Sequence, residues 1–183
     1  TLDGEKNWQV ETGTVTGYPA VSENRLYFAT LAGNLHALNR NSGEKIWNVS
    51  VERLESPTYL SDSYVRSPVY HNDTLYVGTQ GGLYSINASN GETNWEIETN
   101  TGVHPPAVSE GNLYVATDGG NISILDPESG VSEGRWDVNG DIGSSPTVFN
   151  STAYVASGER VYAFDEQSLS RALTTERIRE DRN

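Results

Sequence analysis

Asn41-Ser-Gly-Glu-Lys-Ile-Trp47 (NSGEKIW) decides the fold, because the chain repeats it. A variant, SNGETNW, spans 89–95; a shortened form, GEKNW, spans 4–8; a lengthened form, ESGVSEGRW, spans 128–136. All four tryptophans, Trp8, Trp47, Trp95 and Trp136, end such a phrase. The phrase is too polar for core and too specific for an ordinary surface loop, so it marks an internal repeat. The tryptophans stand 39, 48 and 41 residues apart. A second marker keeps the period: GYPAV (17–21), RSPVY (66–70), HPPAV (104–108) and SSPTV (144–148). Its prolines, Pro19, Pro68, Pro106 and Pro146, are 49, 38 and 40 apart. Trp47 to Pro68 takes 21 residues where the other junctions take 10 or 11, so an insertion lies within SVERLESPTYLSDSYV (50–65).

Between the markers the units align again. RLYFAT, TLYVGT, NLYVAT and TAYVAS alternate as half-buried strands do. LHALN, LYSIN, ISILD and VYAFD follow as second short strands, after the turns AGN, QGG, DGGN and GER. Glycine in these turns is expected to supply the positive φ of a tight hairpin. The closing Asn or Asp leads after four residues to Gly43, Gly91 and Gly130, and then to the Trp-bearing strand. Each unit therefore reads as a Pro-strand, a Tyr-strand, a third strand, a Gly turn and a Trp-strand. Four short antiparallel strands in such a unit cannot bury both faces alone, and stacking them makes a propeller. The expected fold is an all-β propeller of four-stranded antiparallel blades, with about four blades' worth of repeats. The units run about 9–47, 48–95, 96–136 and 137–167, with 168–183 as a C-terminal tail. A lone Trp-strand is expected within residues 1–8: either it completes the last, three-stranded unit and removes its exposed edge, or both ends are open edges and the natural object is larger.

Composition narrows the function classes. No run of about 18 apolar residues exists, and no charged start precedes an apolar stretch as in a signal peptide. With no methionine at all, the chain is expected to be a processed product or part of something longer. Zero cysteines remove disulfides, thiolate metal sites and thiol nucleophiles. With 25 acidic and 12 basic residues the net charge is −13, which argues against nucleic acid, whose phosphates call for a basic patch. Only Lys6 and Lys45 are lysines. A dense carboxylate surface with arginine favoured over lysine resembles proteins of salt-loving archaea; an ordinary acidic secreted protein is the alternative. Five Asn-x-Ser/Thr triplets, at Asn48, Asn72, Asn87, Asn121 and Asn150, lean towards an extracellular address as N-glycosylation acceptors.

At the repeated segments the sequence resembles the PQQ-like (pyrroloquinoline quinone) repeat family. The family unit reads roughly Leu-Tyr-Val, then Gly-x-Leu-x-Ala-Leu-Asp, then Thr-Gly-x-x-x-Trp, and the resemblance covers about residues 1–165. It implies tryptophan-docking contacts, in which Trp8, Trp47, Trp95 and Trp136 lie against the neighbouring blade, and Gly43, Gly91 and Gly130 count with them as structural blade-docking residues. Ala37 and Ala163 match the family's small residue and Ser85 is a close substitute, whereas Ile124 is not small, so a repacked third contact is expected. The last unit has Leu169 where glycine is expected and lacks its Trp.

The family name also raises a quinoprotein dehydrogenase with quinone and calcium near the ring axis. Those enzymes carry a catalytic Asp, a calcium-binding Glu and Asn, and often adjacent cysteines; no clear acidic set is found here and cysteine is absent. The expectation is no enzyme and no cofactor. His36, His71 and His104 lie in different units without the i, i+4 spacing of a helical zinc site. Asp118-Gly119-Gly120-Asn121 reads as a hairpin turn before it reads as a calcium loop. Departures from the repeat are where function tends to sit. The insertion carries Leu54, Tyr59, Leu60 and Tyr64, an apolar-aromatic set suited to a protein partner or to folding over a blade rim. The tail carries Arg171, Arg177, Arg179 and Arg182 and reads first as a frayed terminus.

The resemblance implies a non-catalytic propeller presenting loops to protein partners at the cell surface or envelope, like the BamB-like scaffold of outer-membrane β-barrel assembly. The alternative is a ligand-binding or sensor propeller cut from a larger receptor, kinase or quinoprotein. A structural surface-layer module is a third reading. Protein partners are expected, with self-association to complete a larger ring.

Overall fold

The structure, a computed structural model, describes residues 4–51 and 65–165. Among the described residues, fifteen strands form four antiparallel sheets, in chain order within each sheet. Sheet 1 holds β1 (Val15–Val21), β2 (Arg25–Thr30), β3 (Asn34–Asn39) and β4 (Lys45–Ser50); sheet 2 holds β5 (Val69–His71), β6 (Thr74–Gly78), β7 (Gly82–Asn87) and β8 (Thr93–Glu98). Sheet 3 holds β9 (Ala107–Ser109), β10 (Asn112–Ala116), β11 (Asn121–Leu125) and β12 (Ser132–Asp137); the described strands of sheet 4 are β13 (Thr147–Phe149), β14 (Thr152–Ser157) and β15 (Arg160–Asp165). The fold is an all-β propeller whose blades are the sequence repeats. The chain divides into two compact units, Thr1–Asn100 with sheets 1 and 2, and Thr101–Asn183 with sheets 3 and 4.

Turn chemistry sets the first hairpins. Asn72-Asp73, Glu110-Gly111 and Asn150-Ser151 each carry two consecutive positive φ values. That is the mirror-image turn whose twist matches the flanking strands. The turn at 79–82 departs from expectation: neither Gly81 nor Gly82 has positive φ. Gly82 is needed for space instead, since a Cβ there would collide with the Ile97 carbonyl on the adjoining strand.

The alternating Tyr-strands are not half-buried in three of the four sheets. In β2, Tyr27, Phe28, Ala29 and Thr30 are all buried, and Leu75 through Gly78 and Leu113 through Ala116 are likewise closed on both faces. A strand closed on both faces needs apolar or small residues at every position rather than at alternate ones. In the first unit, Tyr27, Ala29, Leu35 and Ala37 of sheet 1 pack with Leu75, Val77 and Ile86 of sheet 2. In the second unit, Ala116 and Ile122 pack with Val155, and Tyr114 and Ile124 with Ala153. Each such side chain contributes about 1.5–3 kcal/mol by leaving water. Only β14 alternates throughout, with Ala153, Val155 and Ser157 buried and Tyr154 and Ala156 exposed.

The expectation of a Trp-strand at residues 4–8 fails. Residues 4–12 carry no strand, and among the described residues sheet 4 keeps three strands. The stretch is polar and exposed around Trp8, so nothing but an adjoining sheet edge would hold it extended.

Candidate interaction site

The repeated phrase builds one local device. After β3, the Asn39 carboxamide oxygen accepts from the backbone N–H of Asn41 (2.9 Å) and Ser42 (3.0 Å), and Gly43 N–H donates to the Asn39 carbonyl (2.9 Å). Asn87 repeats this with Ser89 and Gly91, and Asp126 with Ser129 and Gly130. An Asx side chain thus closes its own turn, and glycine absorbs the left-handed backbone: φ is +75° at Gly43 and +80° at Gly91. The Ser129 hydroxyl and backbone N–H, both donating, hold the Asp126 carboxyl below the usual carboxylate range.

The glycines have a second duty. A Cβ on Gly43 would stand 2.7 Å from the Trp8 ring, and one on Gly91 would stand 3.0 Å from the Trp47 ring. The indole N–H of Trp8 donates to the Arg40 carbonyl (2.9 Å), and that of Trp47 to the Ala88 carbonyl (3.2 Å). Arg40 and Ala88 each directly follow the turn's Asn, so both tryptophans make the same contact with a turn further along the chain, 32 and 41 residues on. The Ala88 carbonyl also accepts from Arg25 Nη1 (2.7 Å) and from the Tyr27 hydroxyl (3.3 Å). Trp47 comes from sheet 1 and the turn from sheet 2, so one carbonyl gathers three donors from the adjacent blade.

The third phrase, with its two extra residues, changes register. Trp47 stands opposite Ala37 and Trp95 opposite Ser85, whereas Gly134 stands opposite Ile124 and Trp136 opposite Ile122. Large and small have exchanged strands. Trp136 packs against Phe164 of sheet 4, centroids 5.1 Å apart, and Trp95 lies 6.0 Å from Tyr76 of its own sheet.

The other sequence candidates scatter. His36, His71 and His104 fall in or beside three different sheets, and among the described residues no group of three His, Asp or Glu side chains converges. His36 is buried and stacked on Phe28 (5.1 Å, 8°), with neither ring nitrogen hydrogen-bonded. Burial first, and Lys45 second, lower its pKa below the ordinary histidine value. His104 is buried with Nε2 at 2.8 Å from both the Ile142 carbonyl and Asp118 Oδ1. Asp118 in the DGGN turn is thereby engaged by a side chain that sequence spacing had not linked to it. Among the sequons, Asn48, Asn72 and Asn150 are exposed, whereas the side chains of Asn87 and Asn121 are engaged, by Ser89 and by Arg135 respectively. Leu54, Tyr59, Leu60 and Tyr64, and the four tail arginines, lie outside the described residues.

Comparison with known proteins gives one consistent picture. The family model described as outer membrane protein assembly factor BamB matches residues 1–65 and 98–181. The outer membrane protein assembly factor BamB of Legionella pneumophila is 30% identical over 139 residues, covering 75% of this chain and 34% of that protein. The crystal structure of BamB from Moraxella catarrhalis superposes with a TM-score of 0.71 at 23% identity, covering 85% of this chain and 48% of that one. The quinohemoprotein alcohol dehydrogenase of Comamonas testosteroni shares the fold, with a TM-score of 0.67 at 20% identity, 80% of this chain and 29% of that one. This chain therefore spans half or less of each.

Proposed function

The chain belongs to the family of the outer membrane protein assembly factor BamB, and on that premise we propose that it is a non-catalytic propeller that holds loops for protein partners at the cell envelope. The observation that carries this reading is the family match over both compact units, joined to a repeat whose most specific residues are spent on blade-to-blade contact. Trp8 and Trp47 act as fasteners seated on Gly43 and Gly91, and Trp136 reaches the next sheet through Phe164 instead. The insertion around Leu54, Tyr59, Leu60 and Tyr64 is the first surface to test for a partner. Neither pyrroloquinoline quinone nor calcium is needed for this role.

The fold shared with a quinohemoprotein dehydrogenase keeps a ligand-binding propeller as the second reading. One experiment separates them. The intact chain and a variant lacking residues 53–65 are offered to envelope extract, and the intact chain is titrated with pyrroloquinoline quinone and calcium while tryptophan fluorescence is followed. A stoichiometric protein retained only by the intact chain, with no quenching, is expected. Saturable quenching with no protein retained by either bait would overturn the scaffold reading.

A further inference from the structure

Asn-Gly occurs twice in the chain, as Asn90-Gly91 and Asn139-Gly140, and each pair is followed by a carboxylate, Glu92 or Asp141. Glycine after asparagine leaves the backbone nitrogen without a Cβ to shield it, so that nitrogen can approach the carboxamide carbon of its neighbour. Sequence therefore ranks the two pairs alike. Exposure does too, since Asn90 and Asn139 are both exposed. Hydrogen bonding separates them. The Asn90 carboxamide Oδ1 accepts from the Glu92 N–H (3.0 Å), and its Nδ2 donates to Glu92 Oε2 (2.7 Å). The attacking nitrogen is engaged as well: Gly91 N–H donates to the Asn87 carbonyl (2.8 Å), inside the turn on which Trp47 is seated. At the second pair, in the linker from β12 to β13, no hydrogen bond among the described residues engages the Asn139 side chain or the Gly140 N–H.

We propose that Asn139 is a site of spontaneous deamidation, and that Asn90 is protected by its own turn. The Gly140 nitrogen gives up its proton and bonds to Asn139 Cγ; the Cγ–Nδ2 bond breaks, and ammonia leaves with that proton, closing a cyclic imide. Water then adds to one of the two imide carbonyls. Cleavage of the new N–Cγ bond leaves aspartate. Cleavage at the other carbonyl, the original peptide carbon, leaves isoaspartate, whose main chain runs through Cβ and is longer by a methylene. Water is the only co-reactant, and both products add a negative charge to an already acidic chain.

The linker has no slack for a longer backbone. Val138 N–H donates to the Gly120 carbonyl (2.9 Å), and the carbonyls of Val138 and Gly140 both stand 2.7 Å from where a Cβ on Gly120 would be. Three residues after Asn139, the Ile142 carbonyl meets His104 Nε2 at 2.8 Å, and Ile142 bridges to Ser157. Isoaspartate at 139 lengthens the chain between these anchors. It therefore strains the tie from His104, beside sheet 3, to Ile142, beside sheet 4, whereas aspartate leaves the backbone path unchanged.

Ageing the 183-residue chain in mildly alkaline buffer, folded or in concentrated urea, tests this without any partner. Peptide mass spectrometry follows conversion at each Asn-Gly, and an isoaspartyl methyltransferase counts isoaspartate. In the folded chain Asn139 is expected to convert at least about tenfold faster than Asn90, because the bonds that hold Asn90 and Gly91 must break before attack. In urea the two rates should converge, since the protecting turn is gone. Asn139→Gln, whose longer side chain closes the ring poorly, should lose the signal at 139. The thermal midpoint of the aged native chain should fall as isoaspartate accumulates, and that of aged Asn139→Gln should hold. Equal rates at Asn90 and Asn139 in the folded chain would overturn the proposal, as would a folded chain that stays intact at Asn139 while the chain in urea reacts. Equal falls in midpoint for both proteins would overturn the claim that the linker lacks slack.

Discussion

Gly91 shows what the repeat demands of a single residue. Two constraints meet there, a φ of +80° and, where a Cβ would stand, the Trp47 indole at 3.0 Å beside Val49 Cγ1 at 2.9 Å. Gly13 has a φ of +86° with nothing within 4 Å of its Cβ position, so it isolates the first constraint. Gly13→Ala is expected to cost about 1 kcal/mol, whereas Gly91→Ala should cost about 2–4 kcal/mol, because overpacking adds to backbone strain. Equilibrium denaturation of the two variants measures the difference. His36 is the other liability of sheet 1: a buried imidazole with neither ring nitrogen hydrogen-bonded. His36→Phe keeps the stack on Phe28 and removes the unmet polar atoms, so it should stabilise the protein by about 1 kcal/mol near neutral pH. The folded pKa of His36 is lowered, so its neutral form is the one the fold accepts. As pH falls below the unfolded value of ~6.5 the unfolded chain takes up a proton that the folded chain refuses, and stability declines towards the folded pKa. That decline should be shallower in His36→Phe; an unchanged pH slope would remove His36 from the account. The tryptophans and glycines were legible in the sequence because a phrase recurs. The surroundings of His36 and the bond from His104 to Asp118 were not, because pairing across distant strands leaves no local trace.

At the scale of strands, period and order were readable and burial was not. Alternation in RLYFAT looks half-buried, but Phe28 and Thr30 are buried along with Tyr27 and Ala29. A sequence shows which residues alternate, not which faces of a strand end up covered. The stub at 4–8 misled for a related reason: the phrase precedes a strand only where a sheet edge is at hand, as it is for β4 and β8. The two extra residues before Trp136 were visible, and their effect is a register in which Ile124 faces Gly134. Ile124→Ala should therefore open a cavity and cost about 2–4 kcal/mol. Ser85→Ile, which places the same large residue opposite Trp95 with no compensating glycine, should cost about 1–3 kcal/mol by overpacking. Thermal or denaturant unfolding reads both, and a neutral Ser85→Ile would deny that size is matched across the strands.

Across the whole molecule, a net charge of −13 on 183 residues sets the conditions under which these contacts hold. Self-repulsion weakens a compact acidic chain, so the thermal midpoint should rise between ~0.1 M and ~1 M salt. A flat response would show that the carboxylates are too dispersed to matter. The central claim is that the indole of one blade and the glycine turn of the next form a single contact that joins them. A double-mutant cycle on Trp47 and Gly91 in equilibrium unfolding tests it most directly. With Trp47→Ala in place, a methyl at position 91 no longer meets the ring and Val49, its other close neighbour, gains room to give way, so Gly91→Ala should cost at least about 1 kcal/mol less than in the native background. Additive costs, within about 0.5 kcal/mol, would mean that the two residues stabilise the blades independently and would contradict the account.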